Sequence, residues 1–257
     1  MNDAAVIALV RSQLYGVLAR GFTGPPHTLA AWQEQYRGAE ELAAAVEKFP
    51  DGAALAAALR ALERARAAVG TEDALNELRG QGLELLGNLR SRSFPPYETE
   101  YTRGGDFRQN QDLADLMGFY QAFGLNLRDA EESRERPDHI AVELEFLHFL
   151  CWKEAAARVD GDEEHISVCR DAERKFLGDH LGRWADLFAR GLEKTAPEGF
   201  YPALAALLRA VVAQEVANLD VKPEPVAVPE PRSAPEPMTC GADETPAPLV
   251  QIGGTVK

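Results

Sequence analysis

The sequence predicts an all-α fold, a single helical-bundle domain followed by a proline-rich C-terminal tail. Three observations carry that expectation. Alanine and leucine dominate up to about Asp220 and β-branched runs are scarce. The apolar positions recur at helical spacing instead of alternating. Eight of the 16 prolines fall after Asp220, where each removes a backbone donor and fixes φ, so no amphipathic period survives. The expected division is a helical body over residues 1–219 and a flexible tail over 220–257, and the 257 residues are ample for a hydrophobic core.

The elements follow in order. Val6, Leu9, Val10, Leu14, Val17 and Leu18 form one stripe, which predicts a helix from about Asp3 to Arg20, stopped at Gly21 and kept stopped by Gly24-Pro25-Pro26. A second segment runs from about Thr28 to Lys48, with an interruption expected at Gly38. Pro50-Asp51-Gly52 is a turn, and a third helix continues to about Val69. Thr71 to Asp73 offers an N-cap and an acidic first turn for a fourth helix, to about Leu89. Ser91 to Gly105 reads as loop, and Asp106 is a candidate cap for a helix over Phe107 to Phe123, closed by Gly124. Asn126 to Arg136 is a charged connection. A long helix is expected from Pro137 or Asp138 to about Val159, with Asp160-Gly161-Asp162 ending it and starting the next. That next helix is expected to break near Gly178-Asp179 and resume to Leu192, and the last runs from about Tyr201 to Leu219.

Charge and composition narrow the function classes. The net charge is -14, from 27 basic and 41 acidic side chains, and only three of the basic and six of the acidic residues lie in the tail. Such a surface repels phosphate backbones, so no nucleic-acid partner is expected, and it attracts a basic partner. No stretch approaches the roughly 20 apolar residues that span a bilayer, so no stable membrane insertion is expected. The N-terminus carries no basic region followed by an apolar run. Three irregularly spaced cysteines, Cys151, Cys169 and Cys240, suit a reducing compartment. A cytoplasmic location is the expectation.

Chemical motifs are mostly absent: there is no phosphate loop, no GxGxxG, no CxxC, no HExxH and no GxSxG. Glu145-Phe146-Leu147-His148 places a carboxylate and an imidazole on one helix face, and Asp162-Glu163-Glu164-His165 is a loose second copy. Paired copies of this spacing hold two metals in helical bundles when other helices add inward carboxylates. The competing reading is two partly exposed surface histidines and an acidic first turn. The first reading makes the chain a metal-dependent oxidoreductase; the second leaves no catalytic residue, no metal and no cofactor.

A central block interleaves polar and aromatic residues along helices. It holds Tyr97-Glu98-Thr99-Glu100-Tyr101, then Asp112, Asp115, Gly118-Phe119-Tyr120 and Phe123-Gly124, then Glu135-Arg136-Pro137-Asp138-His139 and Glu143-Leu144-Glu145-Phe146. This block resembles the family of cytoplasmic redox-enzyme maturation chaperones, the TorD/DmsD/NarJ group. Arg11, Tyr15, Leu18 and Phe22 add support, as do Phe176-Leu177, His180-Leu181 and Trp184. The subgroup it is most similar to serves type II dimethyl sulfoxide reductase-family molybdoenzymes; the long proline-rich tail departs from the pattern. The resemblance implies an all-α chaperone of the TorD-like type and not an enzyme. It implies binding of an apo molybdoenzyme catalytic subunit, and of its twin-arginine leader, until the molybdenum cofactor is inserted and export follows. A leader peptide is a basic pair followed by an apolar run, so its counterpart is an acidic groove with aromatic walls. The client-binding candidates include Glu100 and, for the cationic end, Asp112, Asp115, Asp138, Glu143 and Glu145. Tyr97, Tyr101, Tyr120 and Phe123 are candidates for the apolar end, with His139 at the helix mouth. Glu143 and Glu145 point to different sides of their helix, so one of them is expected to face the groove. Both a monomer and a homodimer remain open.

Overall fold

The computed structural model describes residues 3–49, 52–86, 94–102, 105–125 and 135–226. Ten α-helices are formed by these residues: α1 (Asp3–Thr23), α2 (Leu29–Gln35), α3 (Ala39–Val46), α4 (Gly52–Ala67), α5 (Glu72–Leu86), α6 (Gly105–Ala122), α7 (Ile140–Asp160), α8 (Glu163–Phe176), α9 (Gly182–Thr195) and α10 (Phe200–Leu219). No strand occurs among the described residues, so the all-α class holds. The Pro50-Asp51 half of the expected turn, most of the charged connection and residues 227–257 of the tail lie outside the described residues.

Local chemistry accounts for most boundaries. Thr28 caps α2 by accepting the Ala31 N–H. Gly38, at φ 86°, separates α2 from α3 where the sequence expected an interruption. Gly161, at φ 70°, closes α7, and the Asp162 side chain then caps α8. Four boundaries differ from expectation, the first being that α1 runs on through Gly21 to Thr23 instead of stopping at Gly21. α6 begins at Gly105, so Asp106 is inside the helix and is not its cap. α7 begins at Ile140, with His139 as the N-cap, so Pro137 and Asp138 precede the helix. No break occurs at Gly178-Asp179: the chain passes from α8 to α9 through a π turn, Leu177–Leu181, which inserts a wider loop of backbone without ending the helical path.

α1 is buried nearly all round from Val10 to Phe22, which makes it the central rod. It packs along α7 and against α10 and α3, while α7 pairs with α8, α9 with α10, and α4 with both α3 and α10. α10, 20 residues long and with a mean hydropathy of 1.3 over its most apolar 18 residues, is long and apolar enough to cross a bilayer on length and composition alone, a stretch the sequence reading passed over. In the fold its Leu204, Leu207, Leu208 and Val211 are buried in the common core with Leu18 and Phe188.

Candidate functional site

The central block converges on the entrance to α7. The segment before α6 lies beside that entrance as an isolated antiparallel bridge between Tyr97 and His139. Glu98 N–H donates to the Asp138 carbonyl and Ile140 N–H to the Pro96 carbonyl, each at 2.9 Å. A 3-10 turn, Glu98–Tyr101, follows, in a stretch read from sequence as loop. Asp138 is fully buried. It accepts from Thr99 Oγ1 at 2.7 Å, from the Thr99 N–H at 3.3 Å and from Arg136 at 2.8 Å. The carboxylate therefore staples the 3-10 turn to the approach of α7 and does not cap the helix.

His139 supplies the cap with its ring: Nδ1 accepts the Ala141 N–H at 3.2 Å. Burial, and then the nearby Arg136, holds this imidazole down to about 4, so it is neutral at pH 7, as an accepting ring nitrogen requires. Tyr97 stands edge-on to it at 5.2 Å, and Arg136 lies over the Tyr97 ring at 4.6 Å. Arg136 also comes within 3.8 Å of Glu100. The Tyr120 hydroxyl donates to the Pro137 carbonyl at 2.8 Å, which ties α6 to the same corner.

One layer inward sits a buried acid–imidazole cluster. Glu143 is fully buried and accepts from Trp184 Nε1 at 3.3 Å, while its other oxygen has no hydrogen-bond partner among the described residues. Burial first, and then the Glu98 carboxylate, pushes Glu143 well above the usual carboxylate range. Glu98 is raised by burial too, with His180 opposing that rise from 3.1 Å. His180 Nε2 lies 3.4 Å from the exposed carboxylate of Asp115. Behind the cluster, Tyr120 and Phe123 meet Phe146 at 5.0 and 5.8 Å, and Phe146 meets Phe176 at 4.8 Å.

The sequence-level candidates therefore separate into two sets. Tyr97, Tyr101, Asp112, Tyr120, Asp138, His139 and Glu143 are buried. Tyr101 donates to the Pro95 carbonyl and packs on Trp184, and Asp112 pairs with Arg108 at 3.2 Å. Asp115 and Glu145 are exposed, and Glu100 and Phe123 are half-buried. Glu143 and Glu145 do point apart, the first into the core and the second to solvent. The Glu145/His148 pair gathers no further ligands: His148 Nδ1 is 2.9 Å from Ser12 Oγ on α1. Among the described residues no group of three or more His, Cys, Asp or Glu side chains could hold a metal ion.

Sequence reasoning missed a second charged centre. Arg11 of α1 is 5% exposed and donates to Glu215 of α10, Glu154 of α7 and Glu173 of α8, at 2.9, 2.7 and 2.5 Å. The partners are 143 to 204 residues away in sequence, so the only local signal is an arginine and three glutamates on otherwise apolar helix faces.

The family described as nitrate reductase delta subunit matches residues 50–190. The chain is 43% identical over 107 residues to a protein named selenate reductase assembly chaperone from Thauera selenatis, covering 41% of this chain and 53% of the relative. It is 41% identical over 83 residues to the chlorate reductase assembly chaperone of Ideonella dechloratans, covering 32% of this chain and 41% of the relative. It is 29% identical over 211 residues to the perchlorate reductase assembly chaperone of Dechloromonas aromatica, covering 79% and 89%. The aligned stretch thus spans about half of the first relative's length and less of the second's. With more than half of its length matched, the chain belongs to the nitrate reductase delta subunit family, the TorD/NarJ family of the resemblance seen in the central block.

Proposed function

We propose that this protein is a cytoplasmic assembly chaperone that binds the apo catalytic subunit of a molybdoenzyme. It holds that subunit through cofactor insertion and releases it for export. The observation that carries this reading is family membership, together with the names of three relatives of this chain, assembly chaperones of selenate, chlorate and perchlorate reductases. The metal-dependent oxidoreductase alternative is set aside on the same ground; among the described residues Glu145 and His148 do not converge with other ligands.

The geometry supports a division of labour at the client site. Asp115 and Glu145 offer exposed carboxylates to the basic pair of a leader, while Glu100, beside Arg136, and Phe123 are half-buried. Asp138, His139, Tyr97 and Tyr120 are positioning residues, which hold the 3-10 turn, α6 and the α7 entrance in one arrangement. A client reaches them only when that corner opens, and segments between elements are where such rearrangement occurs on binding.

The test is calorimetric titration of the client subunit and, separately, its leader peptide into wild type, Asp115→Asn, Glu145→Gln and Asp138→Ala. The two neutralised surface variants are expected to fold normally and bind more weakly, and added salt is expected to weaken binding to wild type, because exposed charges are screened within about 8–10 Å. Unchanged affinity in all three folded variants places the site elsewhere. Failure of the catalytic subunit to co-purify with the chain in its own host removes the chaperone reading itself.

A further inference from the structure

The α7 entrance has a second face. A cleft of about 250 Å³ lies between the α1–α2 connection, α5 and the start of α7, and its lining includes His27, Arg79, Leu83, Glu135 and His139. Its polar groups are mostly donors. His139 is 4% exposed, and because Nδ1 accepts from Ala141, the neutral ring carries its proton on Nε2. That N–H has no acceptor among the described residues. Arg79 donates to His27 Nδ1 at 3.0 Å and lies 3.4 Å from Asn76 Oδ1, and it forms no ion pair among the described residues. Since an arginine only donates, His27 accepts at Nδ1 and presents its own Nε2–H. The first turn of the 21-residue α7 adds the partial positive charge of a helix N-terminus.

We propose that this cleft binds an oxyanion, the phosphate or carboxylate group of a small molecule with an apolar body. Arg79 and the His139 Nε2–H hold the anionic group, with His27 beside them. Leu83, 75% exposed on the wall of the cleft, meets the apolar body. Glu135 shares the cleft and accepts from a hydroxyl or amide on the ligand. The arrangement repels arginine side chains, so it is a site distinct from the carboxylates offered to a leader, and it stands or falls independently of the chaperone reading.

The test uses the full chain, titrated at constant ionic strength with phenyl phosphate and inorganic phosphate in one arm and benzoate and acetate in the other. Histidine side-chain ¹H–¹⁵N shifts and calorimetry are the readouts. Saturable binding that moves the His139 resonance is expected, with the aromatic ligand of each pair the tighter; the stronger arm identifies the oxyanion. Arg79→Gln is expected to weaken binding about tenfold, the loss of one charge-assisted contact. His139→Asn retains an N-capping acceptor but loses the ring N–H, so weakened binding in a folded protein is expected there too. Absence of a saturable shift at His139 in both arms overturns the proposal, as does unchanged affinity in both variants.

Discussion

Replacing Arg11 by methionine removes the cation on which α1, α7, α8 and α10 converge. The guanidinium is 5% exposed and meets three carboxylates that are 1%, 0% and 4% exposed. After its removal Glu154 keeps Arg158 at 2.6 Å, and Glu215 keeps weaker contacts to Tyr15 and Asn218 at 3.3 Å. Glu173 keeps none among the described residues, since its other oxygen already lacks a partner. Breaking a buried ion pair from one side costs about 3–5 kcal/mol, because a charge is left buried and uncompensated. A domain is stable by only about 5–15 kcal/mol, so Arg11→Met is expected to lose a large share of the fold's stability at pH 8.

The loss should depend on pH in a defined sense. Burial pushes Glu173 up to about 7 even with Arg11 pulling it down. A carboxylate whose folded pKa lies above its unfolded value costs stability as pH rises between the two, and the cost vanishes below the unfolded value. Without Arg11 the folded value rises further, so the variant is expected to recover stability as pH falls from 8 to 5, by more than wild type does. Urea denaturation at several pH values, with m-values compared, measures both effects. A loss under about 1 kcal/mol at pH 8, well below the buried-pair cost, or identical pH profiles for variant and wild type, would refute the reasoning.

Two further substitutions test the core around the site. Glu143→Gln replaces a buried carboxylate, raised by burial and by Glu98, with a neutral group of the same shape. It is expected to leave stability unchanged at pH 5 and to raise it at pH 8, measured by thermal unfolding at both; a loss at pH 8 would show that the charge itself is needed. Gly191→Ala directs a Cβ into the Phe94 ring, and overpacking of this kind costs about 1–3 kcal/mol. It should be relieved by Phe94→Leu in the double variant, and additive losses would show that the two positions do not press on each other.

What the sequence by itself determined was local. Thr28, Gly38, Gly161 and Asp162 act within a turn or two of their own position, through a side-chain cap or a left-handed φ, and each could be read where it stands. The resemblance in the central block was legible for the same reason, since its residues are close in the chain. Even so, neighbouring residues that share a cap-forming chemistry were not separable: Asp138 and His139 are both capable of closing the α7 entrance. Only the antiparallel approach of Tyr97, with Thr99 close behind, decided that the carboxylate goes to Thr99 and the imidazole to the helix. The Arg11 cluster, the Glu98–His180–Glu143 cluster and the choice of Glu143 over Glu145 as the buried member of that pair were decided by tertiary structure alone. Charge pairing and burial depend on which helices are brought together, and those partners lie up to 204 residues apart in the chain, beyond the reach of any spacing rule.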